Sequence, residues 1–312
     1  MTRENSPTTV RLRTALAEIM KTSLITSGVL AGLVLASLTL PCRTEAALIA
    51  YEGFDYTSGD ALSGQAGGDG WLAGGFAWGA APVSGGEANA TVGAGNLDHA
   101  GLSATGNHAV VSAAGAYPNR YIAVAPYGGL PFGNAGNPVT ELWIGFLFQP
   151  DTSSFAQLRL STFGAEGGGS IMSFGSSLGH AELGNVVSEA DDVFVSGQTY
   201  FIAVQILFNT DSGAADTVHM YVNPTPGPVA PSVSAALLTN TGADISFERI
   251  GLVAGTSAAF DEIRIGTTFA DIAPAVIPEP AAAGLMLCAV ALSGAWFLRR
   301  RAGRVSASGH LR

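Results

Sequence analysis

The long central part of this sequence has no lysine and no cysteine. Residues 48–277 contain four arginines against 20 acidic residues, so the segment has a formal charge of −16. Such a surface repels phosphate backbones, which argues firmly against nucleic acid as a partner. The excess of acids is compatible with divalent cations, and the alternative, which we favour, is a surface that is simply kept soluble in a salty medium. Because the two cysteines, Cys42 and Cys288, lie outside the segment, it has no disulfide, thiolate metal site or cysteine nucleophile.

The N-terminus has the pattern of an export signal. An apolar stretch covers residues 24–40; Lys21 precedes it, and the small residues that a signal peptidase needs follow at 44–47. We therefore predict a signal peptide with an extended n-region over residues 1–46, and signal peptidase as a partner during export. Met20 is an alternative start, because the residues that follow it resemble a signal peptide of ordinary length.

The C-terminus has three consecutive features: a short motif, an apolar span and a basic cluster. In order these are Pro278-Glu279-Pro280, the uncharged residues 281–298, and Arg299, Arg300 and Arg301. A helix of 18 residues is about 27 Å long, just enough to cross a bilayer's hydrocarbon, and the arginines would hold its end in the cytoplasm. The pattern predicts a linker and motif at 274–280, a transmembrane helix at 281–298 and a basic cytoplasmic tail at 299–312.

This combination resembles the PEP-CTERM sorting tail of Gram-negative surface proteins. The resemblance implies that an exosortase recognises Pro278, Glu279 and Pro280, and that the tail is removed during export. The protein would then move from a membrane-anchored form to the cell surface or the extracellular matrix. The alternative is a permanent single-span anchor, in which the prolines only end the preceding strand and begin the helix.

The segment between the two termini is predicted to be one all-β domain over residues 47–273. Glycine is plentiful there and no stretch has helical periodicity, whereas apolar runs alternate with clusters of Gly, Asn, Asp and Pro. The predicted strands are 141–148, 157–163, 200–208, 217–222, 245–250 and 260–265, with weaker ones at 47–54, 108–113 and 119–125. Residues 200–222 are expected to form a hairpin. Nine or more strands suit a two-sheet antiparallel sandwich.

Four short motifs resemble the concanavalin A-like, or laminin-G-like, jelly roll. They are Ala50-Tyr51-Glu52-Gly53-Phe54-Asp55-Tyr56, Gly67-Gly68-Asp69-Gly70-Trp71, Tyr221-Val222-Asn223-Pro224 and Phe260-Asp261-Glu262-Ile263-Arg264-Ile265-Gly266. The resemblance implies that the first and last strands pair. It also implies a candidate structural calcium site there, with Glu52 and Asp261 as ligands and Asp55 and Glu262 behind them. The alternative is that these acids cap turns or pair with Arg264. No other cofactor is expected.

Aromatic residues in a glycine-rich run make a candidate carbohydrate site. Trp71, Phe76 and Trp78 lie between Gly67 and Gly79, and sugar rings stack on aromatic faces. Exopolysaccharide is therefore a candidate partner. The competing interpretation is that these side chains fill the core.

Catalytic patterns are incomplete. Concanavalin A-like glucanases use Glu-x-Asp-x-x-Glu, and the closest match, Glu189-Ala190-Asp191-Asp192-Val193-Phe194, has phenylalanine at the third acid. Gly175-Ser176-Ser177-Leu178-Gly179 fits a nucleophile elbow, with Asp211 and His219 following in order, but nothing supplies the α/β context that the elbow needs. The prediction is a non-enzymatic surface protein for display or adhesion; the alternatives are a carbohydrate-binding module and a polysaccharide hydrolase.

Overall fold

Nearly all regular structure in the described part of the chain is β. The computed structural model describes residues 48–72, 78, 89–102, 104–112, 117–162, 172–209, 211 and 213–274. Its strands are β1 (Leu48–Glu52), β2 (Ala90–Gly93), β3 (His108–Val111), β4 (Asn119–Tyr121), β5 (Glu141–Pro150), β6 (Phe155–Ser161), β7 (Met172–Ser177), β8 (His180–Leu183), β9 (Val186–Val187), β10 (Tyr200–Leu207), β11 (Asp216–Val222), β12 (Leu238–Ala243), β13 (Arg249–Ala254) and β14 (Ala258–Gly266). One short α-helix, α1 (Phe269–Ile272), follows the last strand, and Ala125–Tyr127 and Val233–Ala235 form 3-10 turns.

The strands form two antiparallel sheets, as the sequence predicts. The eight-stranded sheet has the order β12-β11-β10-β5-β14-β3-β2, with β1 also paired to β14, and the six-stranded sheet has the order β4-β13-β6-β7-β8-β9. The two sheets enclose an apolar core, so the domain is a β-sandwich. β10 and β11 pair as the predicted hairpin.

β5 and β10 are central in the larger sheet because they are apolar on both faces. Leu142, Ile144 and Phe146 of β5 point into the sandwich core. Trp143 and Leu147 point the other way, into a second apolar cluster that includes residues of α1. Burying a large apolar side chain contributes about 1.5–3 kcal/mol, so a strand with two buried faces is strongly held in this position.

The first strand, β1, and the strand β3 both pair with one edge of the last strand, β14. β3 pairs with residues 258–260 of β14, and β1 pairs with residues 263–266 of the same edge. Asp261 and Glu262 fall between the two pairings, where the register against β5 also shifts. The expected pairing of first and last strands is confirmed, and it places two acids at an interruption of the sheet.

One predicted strand is displaced and five strands were not predicted. The structure has β13 at Arg249–Ala254 instead of a strand at 245–250. Ile245 and Phe247 are fully buried but lie outside a strand, and Phe247 only bridges Phe132. An apolar pattern indicates which residues are buried, not which are paired. Here the buried residues begin at Ile245, and the paired strand β13 begins only at Arg249. The unpredicted strands are β2, β7, β8, β9 and β12.

No helix among the described residues is long and apolar enough to cross a membrane. The predicted signal peptide at 1–46, the motif at Pro278, Glu279 and Pro280, the span at 281–298 and the tail with Arg299, Arg300 and Arg301 all lie outside the described residues.

Candidate functional site

Glu52, at the end of β1, lies at the centre of a buried polar network. Its side chain is 1% exposed. Oε1 accepts a hydrogen bond from the backbone N–H of Phe54 at 2.9 Å. Oε2 accepts from the Tyr56 hydroxyl at 2.8 Å and from Trp78 Nε1 at 2.9 Å, and it also pairs with the guanidinium of Arg120. We call these five residues the Glu52 network.

The Glu52 network neutralises a buried arginine. Arg120 is 3% exposed, and its guanidinium carbon lies 4.8 Å from the centre of the Trp71 ring. Burial, and then the Glu52 carboxylate, raise the pKa of Tyr56 above its usual range, so its hydroxyl stays protonated and acts as a donor. A buried charge of either sign is costly without its partner, so we expect the loss of either residue alone to destabilise the fold strongly.

The candidate calcium ligands are used in other ways. Both oxygens of Glu52 already accept bonds from protein donors. No group of three or more His, Cys, Asp or Glu in the described ranges has the geometry to hold a metal ion. Glu262 does pair with Arg264, at 2.6 Å, as the alternative interpretation has it. Calcium binding stays a prediction without a supporting cluster in this part of the chain.

Asp261 and Glu262 hold the loop between β2 and β3. Asp261 is fully buried; its Oδ2 accepts from Leu97 N at 2.9 Å and its Oδ1 from Glu262 N at 2.8 Å. Glu262 Oε1 accepts from the Tyr51 hydroxyl at 2.9 Å and from Thr105 N at 3.2 Å. The two acids thus fasten both ends of this loop to the interrupted edge of β14.

Asp261 gives the fold a pH dependence. Burial raises the pKa of Asp261 to about 8, opposed by its two backbone N–H donors and reinforced by the Glu262 and Glu52 carboxylates. The folded state therefore binds a proton that the unfolded chain releases above about pH 4. This contribution to stability is complete below that pH and is lost as the pH rises towards 8.

We expect the free energy of unfolding to fall by up to about 1.4 kcal/mol per pH unit between pH 5 and 7.5 through this group. Asp261→Asn cannot titrate, so its pH profile should be flatter over that range even if the variant is less stable overall. Urea unfolding at four pH values measures both slopes. Identical slopes for the two proteins would show that Asp261 is ionised in the folded state.

Trp71 and Trp78 lie in the core and offer no ring face to a sugar. Trp71 is 8% exposed and its Nε1 donates to Tyr51 O at 2.8 Å. Trp78 is fully buried and packs against Phe54 and Trp71, with ring centres 5.7 and 6.4 Å apart. The stacking interpretation is therefore corrected for both tryptophans, because the core-filling alternative describes them. Phe76 lies outside the described residues.

The two catalytic patterns are not assembled into sites. Phe194, which stands at the third acid position, is 1% exposed and packs edge-on against Phe148 and Tyr200. Ser176 is fully buried within β7 of the six-stranded sheet. His219 lies in β11 of the other sheet, where its Nδ1 is 2.9 Å from Thr239 Oγ1. A strand-to-strand turn follows Ser176, not the strand-to-helix turn of an elbow.

A cleft of about 590 Å³ lies between the two sheets, where the edge strand β12 faces β8 and β9. Its lining in the described residues carries no charge: Met172, Ser173, Gly184, Asn185, Val186, Thr239, Asn240, Thr241, Gly242 and Ala243. We call it the edge cleft. Because β12 and β9 each pair on one side only, their free backbone groups add hydrogen-bonding capacity there.

Asn240 is held rigidly in the edge cleft. Its Nδ2 donates to Asn185 Oδ1 at 3.0 Å, and its Oδ1 accepts from Gly242 N at 3.0 Å. Gly184 has φ +61°, and a Cβ there would lie 2.8 Å from Met172 Sδ, so a side chain would strain the floor of the cleft. Sequence reasoning missed this site because β9 and β12 were not predicted, and the only local signal is the polar run Thr239-Asn240-Thr241.

No family model and no curated protein matches the chain. Among solved structures it is similar to endo-β-1,4-glucuronan lyase from Trichoderma reesei, with 14% identity, a TM-score of 0.38, and coverage of 70% of this chain and 99% of that one. It is also similar to an alginate lyase in complex with alginate tetrasaccharide, at 10% identity and a TM-score of 0.36, covering 71% and 98% of the two chains. A third is the ligand-binding domain of botulinum neurotoxin serotype D with N-acetylneuraminic acid, at 10% identity, a TM-score of 0.34, and coverage of 59% and 44%. At these values the similarity carries no inference about activity or ligand.

Proposed function

We propose that this chain is an exported bacterial surface or extracellular-matrix protein whose sandwich, a concanavalin A-like jelly roll, serves in display or adhesion without catalysis. One observation carries the non-catalytic part of the proposal. The third acid position of the glucanase pattern holds the buried Phe194, and the candidate sugar-stacking residues Trp71 and Trp78 are committed to interior contacts. A domain with its reactive groups inside is suited to a stable scaffold.

The position of the strands agrees with processing at both ends. β1 begins at Leu48 and α1 ends at Ile272. Removal of residues 1–46 and of the segment after Pro280 would therefore cut no strand pairing in the described sheets. The mature domain would keep the whole core of its described part. This supports the proposal that signal peptidase removes the leader and that an exosortase releases the tail.

The sorting motif can be tested by replacing Pro278, Glu279 and Pro280 together with alanine. We expect the wild-type chain to appear at the cell surface in a shortened form and the variant to stay in the membrane fraction at its uncut mass. Pro224→Ala/Pro226→Ala is the matched control, because it removes two prolines outside the motif. If the motif variant is shortened like the wild type, another protease removes the tail and exosortase recognition is wrong. If both proteins stay in the membrane fraction at the uncut mass, the tail is a permanent anchor.

Carbohydrate binding is a second candidate, and the edge cleft is the observation that favours it. A volume of about 590 Å³ lies within the range of small-molecule sites. The lining offers amide, hydroxyl and backbone groups held in fixed positions, which match the hydroxyls of a neutral saccharide. Because no cation lines the cleft in the described residues, an acidic glycan would find no compensating charge there.

Asn185→Ala tests the edge cleft. Asn185 is exposed and fixed by Asn240, so losing its amide should remove one or two ligand hydrogen bonds and weaken binding about tenfold. Binding of neutral oligosaccharides on a glycan array, followed by titration of the strongest one, measures the effect. Asn134→Ala, an exposed asparagine elsewhere on the domain, is the control. Equal affinities for both variants and the wild type would exclude the cleft as the binding site.

A further inference from the structure

The connection between β11 and β12 is a rigid, exposed apolar loop. We call residues 223–237 the arch. It contains four prolines, which restrict its backbone. Val229, Val233 and Leu237 are 78%, 56% and 40% exposed. A pocket of about 350 Å³ lies between the arch and Tyr221, lined mainly by valine, proline and alanine. Exposed apolar side chains grouped on one loop indicate a surface that meets another apolar phase.

The arch is also free of charge in a strongly acidic domain. Residues 217–243 contain no Asp, Glu, Lys or Arg, whereas residues 48–277 carry a formal charge of −16. The neighbouring loop has an exposed acid, Asp98, next to His99, whose Nε2 lies 3.1 Å from Asn223 Oδ1. A surface of anionic lipid would repel the acidic faces of the domain, but it would not repel the uncharged arch.

The arch lies where the chain leaves the sandwich. Gly227 N donates a hydrogen bond to Ala273 O at 3.0 Å. Ala236 packs against the same apolar cluster as Phe269 and Ile272 of α1. The point from which the chain continues to the predicted membrane span is therefore in direct contact with the exposed apolar loop.

We propose that the arch rests on the lipid surface in which the C-terminal segment is anchored. This inference rests on the proposed function and concerns the form that precedes exosortase cleavage, in which the tail is still in the membrane. Seven residues, 274–280, separate Ala273 from the predicted span, and seven extended residues reach at most about 25 Å. So short a tether gives the arch a high effective concentration at the bilayer, and a weak apolar contact then suffices.

The experiment places a fluorescent label on the arch of the full chain in nanodiscs of phosphatidylcholine mixed with anionic phosphatidylglycerol. Val229→Cys, made with Cys42→Ser and Cys288→Ser, carries the label, and Leu178→Cys, 65% exposed in the turn after β7, is the matched control. Lipids with a quencher near the headgroup should quench the label at 229 at least twofold more than the label at 178. Adding Ser232→Glu and Ser234→Glu should reduce quenching at 229 to the control level.

The possible results distinguish a failure of the lipid contact from a failure of the membrane anchor. Equal quenching at 229 and 178, with the chain present in the discs, would overturn the lipid contact and leave the anchored tail intact. A chain that does not enter the discs would overturn the membrane anchor and the lipid contact with it. If the label at 229 disturbs folding, as judged by circular dichroism, Leu237→Cys supplies a second position on the arch with the same expected result.

Discussion

Replacing Glu52 by alanine is expected to lower the free energy of unfolding by about 3–5 kcal/mol, because the change leaves a buried arginine without its partner. Arg120 is 3% exposed and pairs with Glu52. The same change leaves Trp78 Nε1 and the Phe54 backbone N–H without their acceptor, and a buried donor without a partner adds to the cost. We expect much of the purified variant to be unfolded at 37 °C.

Urea unfolding followed by tryptophan fluorescence measures this loss. Asp60→Ala removes an exposed carboxylate whose side chain lies outside the Glu52 network, and it should change stability by less than about 0.5 kcal/mol. A double variant, Glu52→Leu with Arg120→Leu, removes both charges and should recover part of the stability. A Glu52→Ala protein as stable as Asp60→Ala would mean that the Glu52 network does not hold the fold together.

Trp78→Ala is expected to destabilise the domain by about 3–5 kcal/mol, as for other aromatic residues removed from a core. Trp78 is fully buried, and its ring packs against Phe54 and Trp71. If Trp78 instead stacked on sugars at the surface, the substitution would weaken glycan binding with little effect on folding.

Thermal unfolding of Trp78→Ala separates the two interpretations. The control is Leu178→Ala, which shortens a side chain that is 65% exposed and should leave the melting temperature nearly unchanged. If Trp78→Ala melts at the wild-type temperature and no longer binds an oligosaccharide, Trp78 is part of a carbohydrate site and not of the core.

The central strands were predictable from sequence because burial alone determines them. β5 and β10 are apolar on both faces and rich in aromatic and β-branched residues, which favours a strand covered on both sides. β9 and β12 are edge strands; β9 has only two residues, and β12 contains Thr, Asn and Gly. β9 is too short for an alternating pattern and β12 has the composition of a loop, so composition gives little local signal.

The Glu52 network was not predictable, because sequence provides its members and not their contacts. Glu52 and Arg120 are 68 positions apart. The sequence places Trp71 in a glycine-rich run and suggests a candidate carbohydrate site there, but the structure gives Gly70 of that run a packing role. Gly70 has φ +76°, and a Cβ there would lie 1.8 Å from Ile49 O, so the chain approaches β1 closely enough to bury Trp71 only because this residue is glycine.

The measurement that tests the central claim most directly is the intact mass of the protein recovered from the surface of its own cells. The account predicts a product that begins near Leu48 and ends close to Pro280, and that retains every strand from β1 to β14. Recovery of the whole 312-residue polypeptide from the cytosolic fraction, with none at the surface, would contradict it.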